Sequence, residues 1–269
     1  MRIFSLVENT TPNNIYKTEH GLSLYIETNN HKILFDMGQT DLFITNAEKL
    51  GVDLSEVDIA ILSHGHYDHG GGLENFLKIN SKAVIYLSKF AFGDYYNGTE
   101  KYIGIDQKLK ENKRFIFTDE NVVIDSSLSL HSCNKAERKY NLGSFGLTEL
   151  TGEKFIPDQF LHEQYLLIKE NGQDVLISGC SHKGILDIVD WFSPDILVGG
   201  FHFSKIPVGD KLKELAEQLN KSETTFYTCH CTGTEQYDFM KKYIKKLNYL
   251  SCGSVIDNFQ YRNIYIEKT

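Results

Sequence analysis

Apolar positions fall in short runs whose spacing changes along the chain. Residues 2–7, 21–28 and 32–36 are three such runs separated by turn signals. Leu22, Leu24 and Ile26 share one side of the second run and Ser23 and Tyr25 the other, the period of two that marks a strand. With only Asn29-Asn30-His31 linking the last two runs, an antiparallel meander is expected. Residues 41–50 read as a helix stopped by Gly51, and 57–63 as a buried strand feeding a histidine-rich loop. Gly70-Gly71-Gly72 leads into a helix over 73–79, and 83–87 returns as a strand. Segment 89–112 breaks this rhythm with Phe90, Phe92, Tyr95, Tyr96 and Tyr102 among glycines and charges. Such a composition suits a lid insertion over a pocket, whose rings would favour a flat or apolar substrate.

The second half repeats the scheme. Strands 165–169 and 174–178 flank Asn171-Gly172, the dipeptide of a two-residue hairpin turn. A strand at 196–198 precedes a helix whose apolar face is Leu212, Leu215, Ala216 and Leu219. A strand at 224–228 and a helix over 234–247 follow. No proline-rich linker or repeat divides the chain. The expected fold class is therefore α/β: a single domain over 1–269, built as a four-layer αββα sandwich of two mixed β-sheets flanked by helices.

Composition narrows the function. Hydrophobic residues make up 41% and charged residues 24%, which excludes disordered and collagen-like classes. The 36 acidic and 28 basic residues leave a net charge of -8, so neither nucleic acid nor anionic lipid is an expected partner. The five cysteines are odd in number and the N-terminus lacks a secretory pattern, so a reducing, cytoplasmic setting is expected. No apolar run is long enough to span a membrane.

Histidine placement carries the chemistry. His64, His66 and His69 follow one expected strand, His182 a second, His202 a third and His230 a fourth. The loop from Ser63 to Gly72 crowds three imidazoles and Asp68 onto one turn, an arrangement that wastes burial unless a cation holds it. Its glycines are expected to let the backbone approach that cation. Four ligands from one loop exceed the three typical of one catalytic zinc, so two metals about 3.5–4 Å apart fit better. Cys229-His230-Cys231 has no second paired-cysteine element to complete a zinc clip, and Cys133 and Cys252 read as ordinary buried residues. Lys183 and Lys205, each near a candidate histidine, would attract a phosphate or carboxylate.

His64-Gly65-His66-Tyr67-Asp68-His69 resembles the His-x-His-x-Asp-His signature of the metallo-β-lactamase fold superfamily, and Asp36 resembles its upstream aspartate. Histidine at the third motif position, where the flavodiiron branch has glutamate, implies hydrolysis over oxygen reduction. Glu19-His20-Gly21, Ser178-Gly179-Cys180-Ser181-His182, Gly199-Gly200-Phe201-His202 and His230-Cys231-Thr232-Gly233 resemble the dihydropterin-aminobenzene-phosphate synthase subgroup.

The resemblance implies His64 and His66 as ligands of a first metal, and Asp68, His69 and His230 of a second. Cys180 stands where the family places a bridging aspartate. Either His182 or His162 supplies the remaining imidazole, with His182 favoured. Asp36 would orient a ligand ring, Asp68 would also hold the nucleophile, and His202 would bind substrate or protonate the leaving group. The implied cofactors are two divalent metals, zinc first and manganese or iron also compatible. The expected activity is hydrolysis of a small, anionic or aromatic substrate by a metal-bound hydroxide. A synthase-like transferase and a non-catalytic metal or redox sensor using Cys180 are the alternatives. His20 and Asn9 receive no role.

Overall fold

The computed structural model describes residues 1–257 and the backbone of the strand Gln260–Asn263. One eight-stranded sheet has the order Gln260–Asn263, Ser254–Asp257, Arg2–Val7, Ser23–Glu27, Lys32–Phe35, Ile59–Ile61, Val84–Ser88, Phe115–Thr118. The expected meander is its antiparallel half; from Lys32–Phe35 onward the strands run parallel. A seven-stranded sheet has the order Leu247–Tyr249, Thr225–Thr228, Ile196–Gly199, Gln173–Gly179, Tyr165–Glu170, Leu128–His131, Asn121–Val123. Its first four strands are parallel neighbours.

Strand alternation sets the layers. Tyr25 and Leu34 pack with Phe43 and Phe76 of the helices Leu42–Lys49 and Leu73–Ile79. Their neighbours Leu24, Ile26, Ile33 and Phe35 turn the other way, against Ile168 and Ile177 of the second sheet. Leu176, Leu197 and Phe226 then meet Ile188 and Leu215 of the outer helices Ile185–Phe192 and Asp210–Leu219. The fold is an α/β sandwich of two mixed sheets with helices on both outer faces. In the hairpin, Asn171 and Gly172 take φ values of 55° and 75°, and Glu170 pairs with Gln173 as that turn requires.

Two expectations need correction. The helix expected over 234–247 ends at Met240, and Leu247–Tyr249 is a strand beside Thr225–Thr228. Met240, Ile244 and Leu247 all face the same outer core, so helical spacing persists where the backbone has changed. Segment 89–112 is not a self-contained insertion: its strands Tyr95–Asn97 and Lys101–Tyr102 are completed by Leu147–Thr151 and Lys154–Pro157 into a four-stranded sheet. Phe92 stacks on Phe115 in the core, and the Tyr95 hydroxyl donates to the Phe90 carbonyl at 2.6 Å. No helix among the described residues is long and apolar enough to cross a membrane.

Strand direction decides where the chemistry gathers. The carboxyl ends of Lys32–Phe35, Ile59–Ile61, Gln173–Gly179, Ile196–Gly199 and Thr225–Thr228 lead directly into Asp36, His64, Cys180, His202 and His230. Parallel neighbours end at the same sheet edge, so side chains far apart in sequence meet there.

Candidate metal centre

Asp36 is fully buried with a left-handed backbone, φ 59°. One carboxylate oxygen accepts the Ser63 amide at 2.7 Å; the other accepts the Ser63 hydroxyl at 2.7 Å and faces His69 Nδ1 at 2.6 Å. A carboxylate only accepts, so His69 carries its proton on Nδ1. Ser63 spends its own proton on Asp36 and therefore accepts from His64 Nδ1, 2.7 Å away. On the opposite wall, Asn9 Oδ1 takes the Gly21 amide at 3.2 Å and faces His230 Nδ1 at 2.8 Å, which places that proton on Nδ1 too. Three rings thus hold their Nδ1 protons outward and aim Nε2 inward.

Those Nε2 atoms crowd against one another and against other potential ligand atoms. His69 Nε2 lies 3.3 Å from His230 Nε2, and His230 Nε2 lies 3.3 Å from Asp68 Oδ2. His64 Nε2 is 3.2 Å from His182 Nε2. Nitrogens sharing a tetrahedral zinc with bonds of about 2.0–2.1 Å stand about 3.3–3.4 Å apart, so the spacing is that of a coordination shell. His66 Nε2 and His182 Nδ1 are buried with no hydrogen-bond partner, a costly arrangement that a cation relieves at His66. The donor set therefore fits divalent metal. His64, His66 and His182 form one group with ligand atoms all within 4.8 Å, and His64, His69 and Cys180 another; His20, Asp68 and His230 form a third.

Burial, followed by the neighbouring imidazoles, holds His64 and His182 well below the ordinary histidine range, and burial takes His66 down to about 4. These rings are neutral and free to donate lone pairs. At His69, burial pushes the pKa down, but the carboxylates of Asp36 and Asp68 overcome it and raise it to about 9. The local field there calls for a positive charge, which a metal ion supplies in competition with a proton.

His162 is turned to other work. Its Nδ1 accepts the Gly65 amide at 2.9 Å and its Nε2 faces the buried Asp158 at 3.0 Å, so neither nitrogen is spare. His20 sits at the rim: Asn9 Nδ2 approaches its Nδ1 at 3.3 Å, leaving Nε2–H to face Asp68 at 3.2 Å. Asn9 thereby orients two rings at once. Two buried glutamates that sequence reasoning passed over hold the loops. Glu163 accepts the His182 and Lys183 amides at 2.6 and 3.0 Å, and Glu8 accepts the His230 amide at 2.7 Å. Acidic residues beside the apolar runs 2–7 and 165–169 were the available signal.

A 160 Å³ cavity opens onto the cluster. Asp68, Cys180, His182, His202, His230 and Cys231 line it with the buried Ile103 and Leu147, and the exposed Asn97, Lys101 and Lys205 stand at its mouth. Three expectations fail here. Lys183 is 2% exposed and its ammonium donates to the carbonyls of Ser132 and Glu163 at 2.6 and 2.8 Å, so it reaches no ligand. The rings of Phe90, Phe92, Tyr95, Tyr96 and Tyr102 are absent from the cavity lining: Phe92 and Tyr95 are buried in the fold and Tyr102 is exposed. The loop glycines make room for neighbouring backbone: a Cβ on Gly65 would stand 2.1 Å from the Ala91 carbonyl oxygen, and one on Gly71 2.3 Å from that of Gln39.

A family model described as the metallo-beta-lactamase superfamily matches residues 17–221. The chain belongs to that superfamily. Its members bind divalent metals and are mostly hydrolases. An uncharacterized protein of Methanocaldococcus jannaschii, MJ0448, is 32% identical over 240 residues, covering 85% of this chain and 89% of that one. From the same organism, 7,8-dihydropterin-6-methyl-4-(beta-D-ribofuranosyl)-aminobenzene-5'-phosphate synthase is 25% identical over 283 residues, covering 95% and 96%. The crystal structure of Tm1679, described as a metal-dependent hydrolase of the beta-lactamase superfamily, superposes with a TM-score of 0.82 at 30% identity, covering 96% of this chain and 98% of that one.

Proposed function

We propose that this metallo-β-lactamase superfamily member is a hydrolase with a dinuclear centre acting on a small anionic substrate. The inward-facing Nε2 lone pairs at 3.2–3.3 Å carry this reading. His64, His66 and His182 would hold one ion and Asp68, His69 and His230 the other, with Cys180, whose Sγ lies 3.1 Å from His69 Nε2, beside both. When bound, two such ions lower the pKa of water to about 7 and polarise the bond to be broken.

The remaining work belongs to the chain. Asp68, with Oδ2 between His20 and His230, accepts the hydrogen bond that aligns an attacking water. Lys101 and Lys205 are exposed at the mouth, each spending one donor, on the Tyr67 hydroxyl and the Phe145 carbonyl, and their remaining donors and charge favour an anionic group. His202, on the inner wall, contacts the leaving side of the substrate. The modest cavity and the small sheet over its mouth restrict access by polymers.

Metal-loaded protein assayed on phosphodiesters, lactones and thioesters should turn over at least one class, with activity lost in Asp68→Asn. Absence of turnover across all three, or strict dependence on two organic co-substrates, would overturn hydrolysis in favour of synthase-like chemistry.

A further inference from the structure

We propose that Cys180, His202 and Cys231 form an additional cation site, selective for a thiophilic divalent ion such as Zn²⁺ or Cd²⁺, on the inner wall of the cavity. Three adjacent parallel strands, Gln173–Gly179, Ile196–Gly199 and Thr225–Thr228, each deliver one of these residues at or just beyond the carboxyl end. Two sulfurs and one ring nitrogen converge with all three ligand atoms within 4.8 Å of one another. Both cysteines are free thiols.

His202 supplies the independent observation. Both of its ring nitrogens are buried, and neither has a hydrogen-bond partner. Unlike His64, His69 and His230, whose Nδ1 is held by an acceptor, His202 has neither nitrogen satisfied by its surroundings, a buried deficit that a cation would relieve. His202 is instead aimed by a left-handed backbone, φ 56°, with its ring 4.3 Å from that of His182 and 5.2 Å from Phe145. Cys231 faces both other members of the group, with the Cys180 thiol and the His202 ring as its side-chain neighbours, and it reaches the Cys180 carbonyl at 3.5 Å.

The donor chemistry separates this site from the imidazole and carboxylate cluster beside it. Thiolates select soft and borderline ions, whereas carboxylates and imidazoles accept harder ones. Sulfurs on one tetrahedral zinc, with bonds of about 2.3 Å, stand about 3.8 Å apart, within the observed spread. On binding, each thiol releases its proton to solvent and the sulfur bonds the ion. Three protein ligands leave a fourth position, and because all three residues line the cavity that position faces an incoming molecule. Cys180 also lies 3.1 Å from His69 Nε2, so its sulfur would link the two regions. The site does not depend on the hydrolytic reading; where that reading holds, the His202 wall would contact substrate through this ion.

Metal-stripped protein titrated with Cd²⁺ tests it, with bound equivalents from equilibrium dialysis and thiolate-to-cadmium charge transfer from ultraviolet absorbance. Cys231→Ala and His202→Ala should each bind one equivalent fewer than wild type, and Cys231→Ala should lose part of the charge-transfer band. Equal stoichiometry and equal absorbance in wild type and both variants would overturn the site. Should Cys231→Ala not fold by circular dichroism, Cys231→Ser and His202→Gln carry the same comparison. His66→Ala separates the two ideas: it should lower stoichiometry while leaving the cysteine-dependent band. If His66→Ala changes nothing while Cys231→Ala loses an equivalent, the dinuclear reading fails and this site stands.

Discussion

A single buried carboxylate decides the proton positions of two rings in this protein. Asp36 acts on His69 directly and on His64 through Ser63, so removing it frees both tautomers and leaves the Ser63 amide unpaired. Asp36→Ala should weaken metal affinity about 10–100-fold, the usual effect of losing a partner that orients a ligand ring, as read by competition with a chromophoric chelator. The two candidate imidazoles separate the same way. His182→Ala should lose one metal equivalent, while His162→Gln should bind as many as wild type, because both His162 nitrogens are engaged by Gly65 and Asp158, whereas His182 Nε2 faces His64 Nε2. Lys183 belongs to folding. Burial lowers its pKa to about 8, and it ties the carbonyls of Ser132 and Glu163 together. Lys183→Met should cost about 1–3 kcal/mol in denaturant unfolding and leave KM for an anionic substrate unchanged. A KM rise with stability intact would mean that the ammonium does reach the ligand.

Between elements, the two sheets are latched at the edge opposite the cluster. His31, in the turn before Lys32–Phe35, faces Asp58 at 3.0 Å and Asp125 at 2.7 Å; Asp125 lies in the turn before Leu128–His131 of the other sheet. Burial lowers the His31 pKa, but the hydrogen bonds and charges of the two aspartates outweigh it and raise the pKa above 6.5. Because the folded value exceeds the unfolded one, this stabilisation is complete below the unfolded pKa and fades as pH rises through the folded value. The pair is partly exposed, so the contribution is modest. Wild type should therefore exceed His31→Gln in Tm at pH 5.5, with the gap narrowing by pH 8.5. A gap independent of pH would show that the ring contributes packing alone. Elements also explain where pattern reading failed. The helix Ile185–Phe192 buries Ile185, Leu186, Asp187, Ile188 and Val189 in an unbroken run, so Asp187 and Asp190 are the only polar marks of its period.

At the scale of the whole molecule, folding and metal binding are one equilibrium. Unpaired lone pairs and orphaned ring nitrogens burden the metal-free state, and ions that bind only the folded chain stabilise it by mass action. Chelation followed by dialysis should lower Tm, and adding metal at about 100 times its Kd should restore about 2.7 kcal/mol. A melting profile unmoved by chelator and by added Zn²⁺, Mn²⁺ or Fe²⁺ would sink the metal centre and the hydrolase reading with it. The covering sheet is a property of this scale as well, since its strands come from segments about fifty residues apart, at 95–102 and 147–157.

Local order in the chain was enough to reveal the meander, the Asn171-Gly172 hairpin and the dense His64 to His69 loop. Each depends on residues within a turn or a strand of one another. Only the tertiary structure set His182 against His64 and His162 against Gly65 and Asp158, turned Lys183 inward and assigned Glu8 and Glu163 to the loops they hold. It alone set Cys231 and His202 beside Cys180. These pairings follow from which strands are neighbours and which way they run, and that is settled by packing two sheets and their helices into one core, a constraint distributed over the whole chain.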